Sequence, residues 1–389
     1  MFGIVGFAGI DGRLALSPML GDVRHRGPDG HGVQIFGNRA GLGFVRLAIV
    51  DLVGGDQPFT SPDGDVCAVV NGEIYNHGLL RDELTAQGHI FSTLSDCEVV
   101  LHGYLEWGSA IFDRLEGMFA VAIWDDRVER LLLARDRIGK KPLYWGRVNS
   151  GLTFASEAKA LLRVVPNRAV DPVATSMYFV SDSVPTPLSI WSGICKLEPG
   201  TFLSWTRDEG FRAEPFWNPQ IGKVEPTDFW SAVDSLEACL ERSTAERMMA
   251  DVPIGVFLSS GVDSLMVAAV ARRMSGRPLQ TFTLAFEDSS YDESLAASVF
   301  AHEQGFAHEQ VLIADRDLVS MFDTAVEIFD EPLNDPASLV MLRLAEAASA
   351  SVKVVLTGDG GDELFLGYPH ARAHALIEGL PRRIQSTLR

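Results

Sequence analysis

The chain has 389 residues, of which 47% are apolar, and a formal net charge of −19. That length accommodates two or three domains, and that apolar fraction supports packed cores rather than disorder. The acidic balance argues against binding a nucleic-acid backbone or docking on an anionic membrane. The four cysteines, Cys67, Cys97, Cys195 and Cys239, are widely spaced without a C-x-x-C pair, so no zinc site or disulfide framework is indicated. The start, Met1-Phe2-Gly3-Ile4, lacks the charged region of a signal peptide, and no apolar run approaches a bilayer-spanning length. A cytoplasmic protein with reduced thiols is expected.

Residues 1–205 read as a series of short strands: Phe2–Ala8, 32–36, 42–51, 66–71, 119–124, 130–134, 143–145 and 152–155. Turn signals such as Pro28-Asp29-Gly30 and Pro62-Asp63-Gly64 separate them. Two helices interrupt, one over 77–86 stopped by Gly88 and one over 97–107 stopped by Gly108. Many antiparallel strands with segregated helices predict an α+β sandwich. Residues 206–226, punctuated by Pro215, Pro219 and Pro226, read as a linker.

From residue 227 to 389 the pattern alternates. A helix carries Trp230, Val233, Leu236 and Leu240 on one face. Strand 254–258, a polar loop and an alanine-rich helix follow. Then come strand 281–286, helix 293–304, strand 310–313, a helical stretch over 318–329, and strand 352–356. Alternating β and α elements predict a parallel sheet covered on both faces, with ligands beyond the carboxyl ends of its strands.

Three loops lie at such ends. Ser259-Ser260-Gly261-Val262-Asp263-Ser264 joins a strand to a helix and offers N–H groups and hydroxyls at a helix N-terminus, a seat for pyrophosphate. It is neither a Walker loop nor a G-x-G-x-x-G fingerprint. The same residues taken alone also suit an ordinary helix-capping turn. Leu284 and its neighbours suit an adenine pocket, and Thr357 to Glu363 form the third loop. Asp263 and Asp362 would face each other beside the phosphate seat, the donor set that Mg²⁺ takes together with phosphate oxygens and water.

These residues carry a resemblance. Val252 to Ser264, Asp330-Glu331-Pro332 and Thr357 to Tyr368 resemble the synthetase domain of class B, glutamine-hydrolysing asparagine synthetases. Arg24 to Asp29, Arg46 to Asp51, Gln57-Pro58, Asn71-Gly72-Glu73-Ile74-Tyr75-Asn76, Ser95 to Glu98 and Ala134 to Tyr144 resemble their glutaminase domain. The resemblance implies an N-terminal-nucleophile (αββα sandwich) amidotransferase domain at 1–205, then an adenine-nucleotide α-hydrolase-like (PP-loop) domain at 227–389. It implies adenylation of aspartate by ATP with Mg²⁺, followed by displacement of AMP by ammonia from glutamine. Arg46 would hold the glutamine α-carboxylate, Asn71 and Gly72 the oxyanion, Glu73 and Asp96 the amino end. Phe257, Ser259, Ser260, Gly261, Asp263, Ser264, Leu284, Thr357 and Gly358 would contact ATP. Asp263 and Asp362 would hold the metal. Asp359 stands where the family has a glutamate that helps at acyl transfer. A homodimer is compatible with this reading.

Two departures stand out. The family's nucleophile follows the initiator methionine and is a cysteine; here the position is Phe2, so no glutamine hydrolysis is expected. The family's synthetase domain also continues beyond the position of Arg389, so a C-terminally truncated domain is expected. Two other readings stay open: a related ATP-dependent amide- or lactam-forming enzyme of a biosynthetic cluster, and an inactive regulatory homologue.

Overall fold

A computed structural model of the protein describes residues 2–219, 227–276, 278–288, 292–368 and residue 377. The chain divides into two compact units: Met1–Glu225 with Phe322–Pro336, and Pro226–Met321 with Ala337–Arg389.

The first unit contains twelve strands: β1 (Gly3–Ala8), β2 (Gly30–Phe36), β3 (Ala40–Arg46), β4 (Phe59–Thr60), β5 (Val66–Ile74), β6 (Gly117–Asp125), β7 (Arg130–Arg135), β8 (Tyr144–Val148), β9 (Gly151–Ala155), β10 (Ile194–Lys196), β11 (Thr201–Thr206) and β12 (Gly210–Pro215). They form two antiparallel six-stranded sheets, ordered β10-β8-β9-β1-β3-β2 and β12-β11-β7-β6-β5-β4. Its helices are α1 (Arg13–Asp22), α2 (His77–Ala86), α3 (Glu98–Trp107), α4 (Ile111–Arg114), α5 (Ala158–Leu161) and α6 (Pro172–Ser181).

Strand periodicity explains the layering. Successive side chains of a strand point to opposite faces. Cys67 and Val69 of β5 pack with Ala120, Ala122 and Trp124 of β6 and with Ile4, Leu42 and Phe154 between the sheets. The alternate residues Val66, Ala68, Val70, Val121 and Ile123 pack outward with Val99, Val100 and Leu101 of α3. On the other sheet Val5 and Phe7 pack with Leu16, Met19 and Leu20 of α1. Each fully buried Leu, Val or Phe contributes about 1.5–3 kcal/mol, and a charge placed at Val121 would split two layers at once. The order is α, β, β, α, as the resemblance implies.

The stretch 206–226, expected as a linker, contains β12, which pairs with β11 from Thr201↔Pro215 to Thr206↔Gly210. β12 is an edge strand and mostly exposed, so it lacks the apolar alternation by which a strand is read. Residues 220–226 of that stretch lie outside the described residues. Four helices of this unit, α1, α4, α5 and α6, carried no reading at all. Of these, α6 is started by Asp171, whose carboxylate accepts from the N–H of Val173 and Ala174, a strong N-cap.

One segment from within residues 227–389, Phe322–Pro336, packs with the first unit. Ile190 N–H donates to Glu331 Oε1 at 2.9 Å, and Lys196 pairs with Glu331. Lys159 Nζ stands 3.4 Å from Asp330 Oδ1, and the Trp191 indole donates to the Asp330 carbonyl at 3.2 Å. Ion pairs between residues distant in the chain leave no periodic trace.

The second unit holds α7 (Phe229–Arg247), β13 (Ile254–Phe257), α8 (Val262–Ser275), β14 (Gln280–Phe286), α9 (Ser294–Glu303), β15 (Ala307–Ile313), the first half of α10 (Asp315–Ile328), α11 (Ala337–Ser349), β16 (Val354–Leu356) and α12 (Gly361–Phe365). The sheet order is β15-β14-β13-β16, and all three pairings are parallel. Connections leave β13 towards opposite edges, so β13 and β16 flank a topological switch point. A crevice opens beyond strand ends at such a point.

Candidate active site

The loops after β13 and β16 meet at that crevice. They line one cavity of about 580 Å³ with Phe257, Leu258, Ser259, Gly261, Asp263 and Ser264 from the first loop. Thr357, Gly358, Asp359, Gly360, Asp362 and Glu363 come from the other. Leu284 and Phe286 of β14 add an apolar wall, joined by Met341 and Leu344 of α11. Every residue expected to touch the nucleotide or metal lines this cavity except Ser260, whose hydroxyl instead donates to Glu293.

The approach of the two loops depends on glycine. A Cβ on Gly358 would stand 2.7 Å from the backbone N of Ser264 and 3.0 Å from the carbonyl carbon of Asp263. A Cβ on Gly361 would overlap the Asp263 carboxylate, and one on Gly367 would overlap that of Asp362. The first loop is internally braced: Ser259 Oγ and Ser264 Oγ are 2.9 Å apart, and Gly261 N–H donates to Ser259 Oγ at 3.1 Å. α8 starts at Gly261 with no side chain capping it, which leaves its first N–H groups directed at the cavity mouth. Across the cavity Thr357 donates to Asp359 at 3.0 Å and Tyr368 to Glu363 at 2.9 Å.

A second polar site lies in the first unit. Asn71, Glu73 and Asp96 are buried. Asn71 Nδ2 donates to Ser156 Oγ at 3.4 Å, while its Oδ1 has no donor among the described residues. Both oxygens of Glu73 are likewise buried without a donor. Buried polar groups are nearly always satisfied, so these acceptors are exceptions that could take a ligand's donors. Burial, and then the neighbouring Asp96 carboxylate, push the Glu73 carboxyl well above its ordinary range. Burial also raises Asp96, although it accepts from Ile74 N–H at 2.7 Å. The facing cation is Lys141, whose ammonium burial lowers to about 8 against the pull of Glu73. Asp136 fixes the turn that delivers Lys141, accepting from the N–H groups of Phe119, Ile138, Lys140 and Lys141.

Arg46 ends β3 and is buried. It donates to Asp56 Oδ1 at 2.8 Å and to the carbonyls of Val50, Asp51 and Leu52. Gly72 sits on β5 opposite Phe119, where a Cβ would stand 2.7 Å from the Phe119 Cα. Phe2 immediately precedes β1. Its ring packs in the inter-sheet core 5.4 Å from that of Phe44, and its carbonyl accepts from Arg26 Nε at 2.9 Å. Burial pushes the Cys67 thiol up to about 12 and, with Asp96 and Glu73 nearby, the Cys97 thiol well above its usual value. Neither is a ready nucleophile. Lys141, Ser156, Glu293, Met341 and Leu344 had no assigned role from sequence. Only Lys141, inside the run Ala134 to Tyr144, carried any signal.

Comparison with known proteins agrees with both halves. Residues 1–217 match the family described as glutamine amidotransferase domain, and residues 235–388 match the one described as asparagine synthase. The chain is 35% identical to glutamine-hydrolysing asparagine synthetase 1 of Bacillus subtilis, over 89% of this chain and 54% of that protein. It is 32% identical to glutamine-hydrolysing asparagine synthetase 3 of the same organism, over 98% and 65% respectively. It is 34% identical to an amidase of Penicillium rubens, over 92% and 55%. The chain thus spans between about half and two thirds of the length of these relatives. Among the described residues no helix is long and apolar enough to cross a membrane. With matching sequence over both units, a double antiparallel sandwich and a parallel sheet closed by a Ser-Gly loop, the chain belongs to the glutamine-hydrolysing asparagine synthetase family.

Proposed function

We propose that the protein is an ATP-dependent carbon–nitrogen ligase that adenylates the side-chain carboxylate of aspartate and passes the acyl group to ammonia. A carboxylate oxygen attacks the α-phosphorus of ATP and pyrophosphate leaves. Ammonia then attacks the acyl carbon, AMP leaves with the bonding pair, and the nitrogen gives up a proton. The observation that carries this reading is the meeting of Asp263, Ser264, Gly358 and Asp362 around one cavity at the switch point.

The loop from Ser259 to Ser264 and the start of α8 receive the phosphates, with Ser260 turning from Glu293 to a phosphate oxygen. Phe257 and Leu284 hold the adenine, Thr357 and Gly358 the sugar-phosphate side. Asp359 assists acyl transfer. Mg²⁺ fits the donors present: two hard carboxylates, Asp263 and Asp362, leave most of its shell to phosphate oxygens and water. Among the described residues no cluster of three or more ligating side chains exists, as suits a metal that arrives with the nucleotide. When bound, it would withdraw charge from the phosphates.

The first unit binds glutamine without hydrolysing it. Arg46 takes the glutamine α-carboxylate in place of the exposed Asp56 side chain. Glu73 and Asp96 receive the α-ammonium, which supplies the donors that Glu73 lacks. Asn71 and Gly72 form the oxyanion site. Phe2 offers no nucleophilic atom, so ammonia comes from solution. The amidotransferase unit ends near residue 217, and the nucleotide unit begins with α7.

Pyrophosphate release tests this reading in mixtures of ATP, Mg²⁺ and aspartate with ammonium, with glutamine, or with neither. Release with ammonium alone is expected. Release only with a different carboxylic acid would favour the amide- or lactam-forming reading, and silence with no ATP binding would favour the inactive one.

A further inference from the structure

One contact in the nucleotide cavity pairs a loop hydroxyl with an ionic group from elsewhere. Ser260 Oγ donates to Oε2 of Glu293. Glu293 is the N-cap residue of α9, not part of the Ser259–Ser264 loop, and it lines the same cavity. The other two hydroxyls of the loop, Ser259 and Ser264, bond to each other and to loop backbone. Ser260 is therefore the hydroxyl free to change partners without unravelling the loop.

Chemistry makes the partner informative. A carboxylate that accepts a hydroxyl proton beside an uncapped fourteen-residue helix start stands in for a phosphate oxygen, since both are anionic acceptors. The surrounding wall does not offset that charge. The described lining carries Asp263, Glu293, Asp359, Asp362 and Glu363 and no Lys, Arg or His. An anionic group leaving this site is pushed by like charge, and the nearest push to the Ser260 hydroxyl is Glu293.

We propose that Glu293 is a positioning residue that holds Ser260 Oγ in place, yields it to a phosphate oxygen of the incoming nucleotide, and reclaims it as pyrophosphate departs. The proposal rests on the nucleotide reading of the cavity. Glu293 thereby weakens retention of free pyrophosphate and speeds turnover.

The test is calorimetric titration of inorganic pyrophosphate with Mg²⁺ into the full chain. The variants are Glu293→Gln, Ser260→Ala and the double substitution, with steady-state KM for ATP and kcat measured in parallel. Glu293 is exposed, so its substitution leaves packing intact. Glu293→Gln is expected to bind pyrophosphate about tenfold tighter, the size of a screened like-charge contact, and to show a lower kcat with product inhibition. In the Ser260→Ala background the same change is expected to shift affinity by less than about threefold, because the shared contact is gone. Unchanged or weaker pyrophosphate binding by Glu293→Gln would overturn the proposal, the weaker case making Glu293 a cation ligand. A full tenfold effect without the Ser260 hydroxyl would overturn the handover. A parent chain that binds neither ATP nor pyrophosphate would defeat the nucleotide reading itself, and Glu293 with it.

Discussion

The carboxylate of Asp263 lies against Gly361, where a methyl group would overlap it. Two loops far apart in the chain are thereby held at a distance that only glycine permits. Gly358→Ala pushes a methyl into the Ser264 and Asp263 backbone, which cannot move aside as a flexible side chain would. Overpacking of this kind costs about 1–3 kcal/mol. Gly358→Ala and Gly361→Ala are expected to lose most ATP binding, measured by thermal shift with ATP and Mg²⁺. Circular dichroism of the unliganded protein should be unchanged.

Glu73 presents the opposite situation, a buried carboxyl without a donor among the described residues. An unsatisfied buried polar group costs about 1–3 kcal/mol, a cost typical of functional sites. Glu73→Gln replaces the carboxyl with an amide at nearly constant volume. It is expected to raise Tm of the ligand-free protein by about 2–4 °C and to abolish the further rise given by glutamine. Differential scanning calorimetry with and without glutamine reads both. A destabilised variant that still responds to glutamine would contradict the assigned role.

Much of this was legible in the chain. The unbroken apolar run Val66-Cys67-Ala68-Val69-Val70 reads as a strand, and the structure buries both of its faces. The Ser259–Ser264 and Thr357–Glu363 loops announce themselves by small and acidic residues at strand ends. What stayed hidden has physical causes. β12 is polar because it is an edge. Phe322–Pro336 joins the first unit through Asp330 and Glu331, whose partners Lys159 and Lys196 are remote in sequence. Glu293 was legible only as the first residue of a helix over 293–304, and Met341 and Leu344 lie on α11, a helix that carried no reading.

Acid stability should report two anchored carboxylates. Burial alone would raise both. In Glu98 hydrogen bonds from His102, Ser92 and Thr93 more than reverse it, and in Glu157 those from His25 and Arg26 do, holding each at about 2. A carboxyl depressed by folding adds stability that is present above its ordinary value of about 4.3 and lost as pH falls towards about 2. Glu98→Gln is expected to be about 1–3 kcal/mol less stable at pH 7. The gap to the parent chain should close between about pH 4.3 and 2, as followed by urea unfolding at several pH values. A gap independent of pH would show that the charge of Glu98 contributes nothing.

Phe2→Cys places a thiol ahead of β1 in a core position. The lost ring leaves a void, costing about 3 kcal/mol. With Met1 removed, the variant is expected to release glutamate from glutamine, scored by a coupled glutamate assay. Glutamine binding without glutamate release would count against the oxyanion roles of Asn71 and Gly72.

The most direct test of the central claim is pyrophosphate release by the unaltered chain with ATP, Mg²⁺, aspartate and ammonium, set beside Asp263→Asn and Asp362→Asn. The account predicts release with ammonium, none above background with glutamine as sole nitrogen donor, and loss of at least about a hundredfold in either variant. Undiminished release in both variants would contradict it.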